Sequence, residues 1–286
     1  MRILCTFPGR HGDIFYALPT LRALHEATEA EVDLAVAPKY RGVCGLAGTQ
    51  FYIRAAFAIP DWEIYESAPM SPRRPPTTPS GYDHVFHLGY LNWPRFSLPY
   101  ETQTTLVEQW PEGLGRVPGI DLARPWLTRG LPASVDRPWV SVGWSEEWLE
   151  LKAGILVAVA HRFPQVQFQW IRPWAPSRYD EYGSTGQALP KNVCMIHADW
   201  AMTAASIGRS QVFLGCNSAA HIVAVGLGVP VVMVEPAEAR WHPIFYACGD
   251  AGPQVTLVRG NDGKPTFDAR HVGDALEKAL KGLQCA

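Results

Sequence analysis

"MRILCTFPGRHGDIFYALPTLRAL", residues 1–24, reads as a strand, a tight turn and the opening of a helix. The apolar run from Ile3 to Phe7 stops at Pro8 and Gly9, and a helical pattern begins at Asp13 or just after it. Unpaired N–H groups at a helix start, with the positive end of the helix dipole, make such a turn a binding place for polar or anionic groups. Asp13 is then a helix cap, part of a nucleotide loop or a proton-accepting base, and the residue alone leaves all three open. Pro19, six residues on, predicts an irregular or kinked first turn, because proline removes an intrahelical bond.

Working outward, the same rhythm repeats. Strands are expected at 2–7, 31–36 and 82–90 ("YDHVFHLGY"), with a helix at 14–28, a short helix near 40–47 and an apolar stretch at 51–59. Alternation of this kind predicts a parallel sheet covered by helices. Residues 60–79, "PDWEIYESAPMSPRRPPTTP", carry six prolines and cannot hold regular structure. A loop that long inside a domain usually has a function. Within it "PRRPP" (72–76) is a solvated loop or a contact to an anionic group.

After "TRGLPASVDRPW" the rhythm restarts, which places a domain boundary between residues 128 and 140 and gives domains 1–133 and 134–286. The second half offers strands at 139–144, 166–172, 193–197, 211–215 and 229–235 and in "TLVR". Its helices are expected at 148–163, 200–208 and 218–227 and in "ARHVGDALEKALKGL". Ligands of paired open sheets are expected beyond the carboxyl ends of the strands, here in a cleft between the domains.

Composition narrows the chemistry. The chain has 286 residues, room for two domains, and a net charge of -2, which gives no overall footprint for nucleic acid or an anionic membrane. No apolar run approaches a membrane span, and the N-terminus lacks the apolar length and cleavage site of a signal peptide, so a cytoplasmic location is expected. The six cysteines lie far apart with no zinc-ligand spacing and read as reduced thiols. His84 and His87, three apart on a strand, point to opposite faces and do not suggest a metal pair. Eleven tryptophans supply flat apolar faces suited to sugar rings or bases.

A nicotinamide site is excluded: "PGRHGD" gives only GxxG, and the second strand ends "LAVAPK" without the acidic residue that holds a ribose. The second informative stretch is "FLGCNSAAHIVAVGLGVPVVMVEP" (213–236). A buried strand ends at Gly215, Asn217 and Ser218 start a helix of small residues, and His221 lies in its first turn. That helix start suits a diphosphate; alternatively Asn217 and Ser218 are plain caps and His221 an ordinary surface residue. In "WIRPWAPSR", Trp170, Arg172, Trp174 and Arg178 offer a stacking face and cations for phosphate oxygens, although Trp170 suits a core equally well.

"GDIFYALPTLRAL" with "FLGCNSAAHIVAVGLGVPVV" resembles glycosyltransferase family nine, the heptosyltransferase-like group of GT-B enzymes, and "YDHVFHLGY" is similar to that family's "YDLVIDLQ" strand. The resemblance implies an α/β fold of GT-B type, two Rossmann-like domains facing each other across a cleft. The acceptor would lie in the first domain and a nucleotide-diphosphate sugar in the second. It also implies inversion at the anomeric carbon and neither metal nor cofactor, the nucleotide sugar being a co-substrate. Asp13 would be the general base, with Arg10, His11 and Gly12 around it. Gly215, Asn217, Ser218, Ala219 and His221 would surround the diphosphate, with Lys152, Arg172 or Arg178 as the cation.

Three departures stand out. Asn217 replaces the family's Asp, one residue closer to His221; His87 stands where the family strand has Asp; and in "SVGWSEEWLELK" the lysine, Lys152, comes three positions late. The expected activity is transfer of a sugar to a hydroxyl acceptor: a glycan such as lipopolysaccharide core, or a hydroxymethylated base in viral DNA, although the net charge does not indicate DNA. A non-hydrolysing sugar-nucleotide 2-epimerase, or an inactive nucleotide-sugar or carbohydrate-binding relative, are the alternatives.

Overall fold

The computed structural model describes residues 1–62, 75–88, 99–122, 124–128, 139–144, 149–173, 189–216, 218–235, 255–259 and 268–282. The chain forms two compact units, Met1–Thr128 and Arg129–Ala286. No helix among the described residues is long and apolar enough to cross a membrane.

In unit 1, β1 (Arg2–Phe7), β2 (Glu31–Val36), β3 (Ala55–Ala58) and β4 (His84–His87) form a parallel sheet in the order β3-β2-β1-β4. The two central strands are buried from their second residue onward, as their largely apolar sequences require in a sheet covered on both faces, with Asp33 of β2 the one charged residue among them. Between β1 and β2 runs α1 (His11–Thr28), in which every residue from Ile14 to Leu24 is buried. The helix starts two residues before Asp13 and is continuous through Pro19. Burial on all its faces outweighs one missing backbone bond. A 3-10 turn (Pro38–Val43) and the one-turn α2 (Cys44–Ala47) lead into β3.

A helix not expected from sequence, α3 (Pro99–Glu108), packs on α1 and β4. Its sequence PYETQTTLVE is rich in threonine, a poor helix former. Burial stabilises it instead: Thr102 is fully buried and its hydroxyl lies 2.6 Å from that of Thr20 in α1. The irregular end of the unit is fastened by side chains. Arg22 of α1, 2% exposed, donates to the carbonyls of Asp121 and Pro125 at 2.5 and 2.6 Å, and the Tyr52 hydroxyl donates to Trp126 O at 2.5 Å.

Unit 2 holds a parallel sheet of β5 (Trp139–Gly143), β6 (Gln167–Pro173), β7 (Val193–Ala198), β8 (Val212–Gly215), β9 (Val231–Glu235) and β10 (Val255–Arg259), in the order β10-β9-β8-β5-β6-β7. Its helices are α4 (Leu149–Arg162), α5 (Trp200–Arg209), α6 (Ala219–Gly226) and α7 (Ala269–Gly282). Val140, Val142, Leu156, Phe168, Val212, Leu214, Val232 and Leu276 belong to one core. Trp170 joins them, 1% exposed, so it is a core residue rather than a stacking face.

Strand order fixes where each sheet opens. Successive strands step outward from β1 on one side, and β4 returns to its other side; likewise β6 and β7 lie on one side of β5 and β8 to β10 on the other. The strand order thus reverses at β1/β4 and at β5/β8, the places where open parallel sheets characteristically offer a crevice beyond the carboxyl ends.

Candidate functional site

The crevice of unit 1 is built from the turn after β1. Gly9 is required there: a Cβ at this position would run into the Phe7 ring and lie 2.5 Å from Asp13 Cβ. Its absence lets the first turn of α1 fold back over the strand end. Arg10, exposed, is the N-cap residue, and its backbone N–H donates to Asp13 Oδ2 at 2.9 Å. Asp13 is thus the third residue of the helix and serves as its reverse cap, half-buried, in a place where the amide and the helix dipole stabilise a carboxylate. Gly12 and His11 precede it, both half-buried, and the His11 ring meets Tyr40 edge-on with centroids 5.3 Å apart.

On the other side of β1, sequence reasoning missed a pair. Thr6 and His87 are register partners, and Thr6 Oγ1 lies 2.9 Å from His87 Nδ1. Gln109, just beyond α3, clamps the end of β4 from outside: its Oε1 accepts from His87 N at 2.8 Å and its Nε2 donates to His87 O at 2.9 Å. An edge strand is so completed by a side-chain amide. Only the threonine in β1 and the histidine closing β4 signal the pair in sequence.

Burial lowers the pKa of both His11 and His87 below the ordinary 6.5. The unfolded chain therefore takes up protons near pH 6.5 that the folded unit takes up only at lower pH, so acidification favours unfolding. Stability from this source is complete above pH 6.5 and is lost as pH falls below it. Urea midpoints at about pH 7.5 and 5.5 are expected to show the loss, and it should be smaller in His87→Gln and His11→Gln. An unchanged midpoint in wild type would contradict it.

In unit 2, β5 and β8 end in register on Gly143 and Gly215. A Cβ on Gly143 would lie 2.7 Å from the Phe213 ring and 3.1 Å from Ala220 Cβ, and one on Gly215 would lie 2.6 Å from the same ring and strike the Gly143 carbonyl. Gly143 thus lets the opening turn of α6 settle close through Ala220, and Gly215 lets the two strand ends and the Phe213 ring pack together. Ser218, the N-cap, is extended (φ -161°), and its N–H donates to His221 Nδ1 at 3.0 Å. Because an amide can only donate, Nδ1 carries the lone pair and the proton sits on Nε2. His221 is fully buried and not an ordinary surface residue. Ser218 and His221 hold the reciprocal positions of a capping box, and the buried Ser218 hydroxyl oxygen faces the His221 backbone N–H without full hydrogen-bond geometry, with no hydrogen-bond partner among the described residues.

Arg172, next to last in β6 and 5% exposed, stands beside His197 of β7, two strands from β8, about 10 Å by strand spacing. Asn217, Arg178, Trp174 and the Lys152 side chain lie outside the described residues, as does most of the proline-rich loop. The structure thus gathers Arg10, His11, Gly12 and Asp13 in unit 1, and Gly215, Ser218, Ala219 and His221 in unit 2. Among the described residues no cluster of three or more metal-ligating side chains occurs.

No family model and no curated protein matches the sequence. Solved structures do match. The family 9 glycosyl transferase of Veillonella parvula superposes with a TM-score of 0.65 at 13% identity, covering 98% of this chain and 97% of its own. The E. coli heptosyltransferase WaaC, solved with ADP, gives 0.66 at 13% identity, covering 98% and 100%. The chain has the GT-B fold. On GT-B geometry a weaker likeness also extends to a putative UDP-N-acetylglucosamine 2-epimerase of Listeria monocytogenes, with a TM-score of 0.56 at 11% identity, covering 99% and 89%.

Proposed function

We propose that this GT-B chain is a heptosyltransferase-like glycosyltransferase that moves a sugar from a nucleotide-diphosphate donor to a hydroxyl acceptor, with inversion and without a metal. The observation that carries the reading is the end-to-end likeness to WaaC solved with ADP. The placing of Asp13 and of the α6 start at the two sheet openings supports it. In unit 1, Asp13 takes the proton of the acceptor hydroxyl as its oxygen bonds to the anomeric carbon. The bond from that carbon to the diphosphate breaks, and the diphosphate leaves with the electron pair through an oxocarbenium-like transition state. In unit 2, the amides of Ala219 and Ala220 and the Ser218 hydroxyl stabilise the charge gathering on the leaving group, His221 holds this turn from beneath through the Ser218 N–H, and Arg172 is the cation. Arg178 or Lys152 are the alternatives for that cation, and Asn217 joins the phosphate contacts.

No cofactor enters this scheme, and the cytoplasm is its location. A sugar-nucleotide 2-epimerase is the less supported reading: those structures superpose at 0.56 and 0.51, near or below the lower end of the 0.54 to 0.66 spanned by the transferases.

Thermal-shift measurements with ADP, UDP, GDP and CDP, and with their sugars, test the donor class. One base is expected to raise the melting temperature clearly, because a ligand at 100 times its Kd adds about 2.7 kcal/mol. If none of the four stabilises the protein, the reading fails.

A further inference from the structure

We infer, on the reading of Asp13 as the base, that Gly9 is a positioning residue for it: the side chain that Gly9 lacks is what lets the Asp13 carboxylate stand at the carboxyl end of β1. Space calls for glycine here, and backbone freedom does not. Gly9 has no positive φ, so alanine could take up the same backbone. Its Cβ could not be housed. That atom would lie 2.5 Å from Asp13 Cβ and would run into the edge of the Phe7 ring.

Neither neighbour can give way. Phe7, the last residue of β1, is 1% exposed, so its ring is enclosed on all sides. Asp13 Cβ is bonded directly to the helix backbone, and no rotation of the side chain moves it. The body of α1 is fixed in the core, with every residue from Ile14 to Leu24 buried. An added methyl group therefore spreads the turn between Pro8 and Asp13 and carries the carboxylate away. That turn is closely set: Arg10 N–H donates to Asp13 Oδ2 at 2.9 Å, and Ile14 N–H donates to Arg10 O at 2.9 Å. A general base acts only within hydrogen-bond reach of the proton it takes, and misplacement by about 1 Å costs up to roughly 100-fold in rate.

Gly9→Ala tests this, first by amide exchange in the full chain. The Arg10 N–H should exchange about tenfold faster as its bond to the carboxylate is lost, while Leu18 and Leu21 inside α1 keep their wild-type protection. Hydrolysis of ADP-, UDP-, GDP- and CDP-glucose, with water as the acceptor whose proton Asp13 takes, supplies the kinetic reading. Here kcat should fall roughly 10-fold to 100-fold with KM for the sugar nucleotide unchanged, and the same change should cost almost nothing further in Asp13→Asn. Unchanged Arg10 exchange overturns the inference, and so does an equal loss of rate in both backgrounds. A Gly9→Ala chain that fails to fold, or that loses protection throughout α1, overturns it too, by making Gly9 a folding residue. A slow Asp13→Asn beside a fast Gly9→Ala sinks the inference and spares the base; a fast Asp13→Asn sinks the base and the inference with it.

Discussion

Replacing Asp13 by asparagine is expected to lower turnover by roughly 100-fold to 10,000-fold, the contribution of a positioned general base. Asparagine retains an oxygen that can accept the Arg10 N–H now held by Oδ2, so the loop and the first turn of α1 should stay in place. What it lacks is the basicity to take a proton from a sugar hydroxyl. Steady-state rates against pH add a second reading. With a single ionising base the rate rises with pH to a plateau, and that limb should vanish in Asp13→Asn. Affinity for the nucleotide should barely change, since most residues assigned to it lie in unit 2. A variant with wild-type turnover would reduce Asp13 to a helix cap and leave the chain without its base.

Ser218→Leu should weaken binding of the stabilising nucleoside diphosphate by about 10-fold to 100-fold. Each hydrogen bond to a charged group contributes about 1.5–3 kcal/mol, and tenfold in affinity corresponds to about 1.4. Leucine removes the buried hydroxyl that has no hydrogen-bond partner among the described residues and sets a branched side chain where phosphate oxygens would approach. The backbone N–H remains to donate to His221 Nδ1, so the start of α6 keeps its cap. An extended backbone at this position suits leucine as well as serine. Calorimetry decides: the same Kd in both proteins would take the start of α6 out of the phosphate site.

Much of the molecule could be read locally. Strands β1 and β2 fall where their largely apolar runs place them, because a parallel sheet buries both faces; the one buried charge in β2, Asp33, is held against Arg54 and Tyr82. The restart of the rhythm after residue 128, the turn at Gly9 and the cap-like position of Asp13 were also legible. Asp13 itself shows how the start of α1 was misjudged. An acidic residue three places into a helix satisfies the N-cap amide, and reading it as the N-cap instead set the start too late.

The chain's own order of residues therefore determined its elements, their alternation and two candidate helix starts, since these follow from hydrophobic period, proline, glycine and caps. Tertiary structure alone decided the rest. α3 is too polar to announce itself and exists because Thr102 meets Thr20, 82 residues away. Trp170 went to the core and His221 to a sealed position under a backbone amide, choices that depend on which elements cover β6 and α6. Thr6 and His87 stand 81 residues apart and meet because β4 pairs with β1 in one register. Period and propensity report how a segment buries itself against something, whereas strand order and register decide against what, and the sites lie where that order reverses.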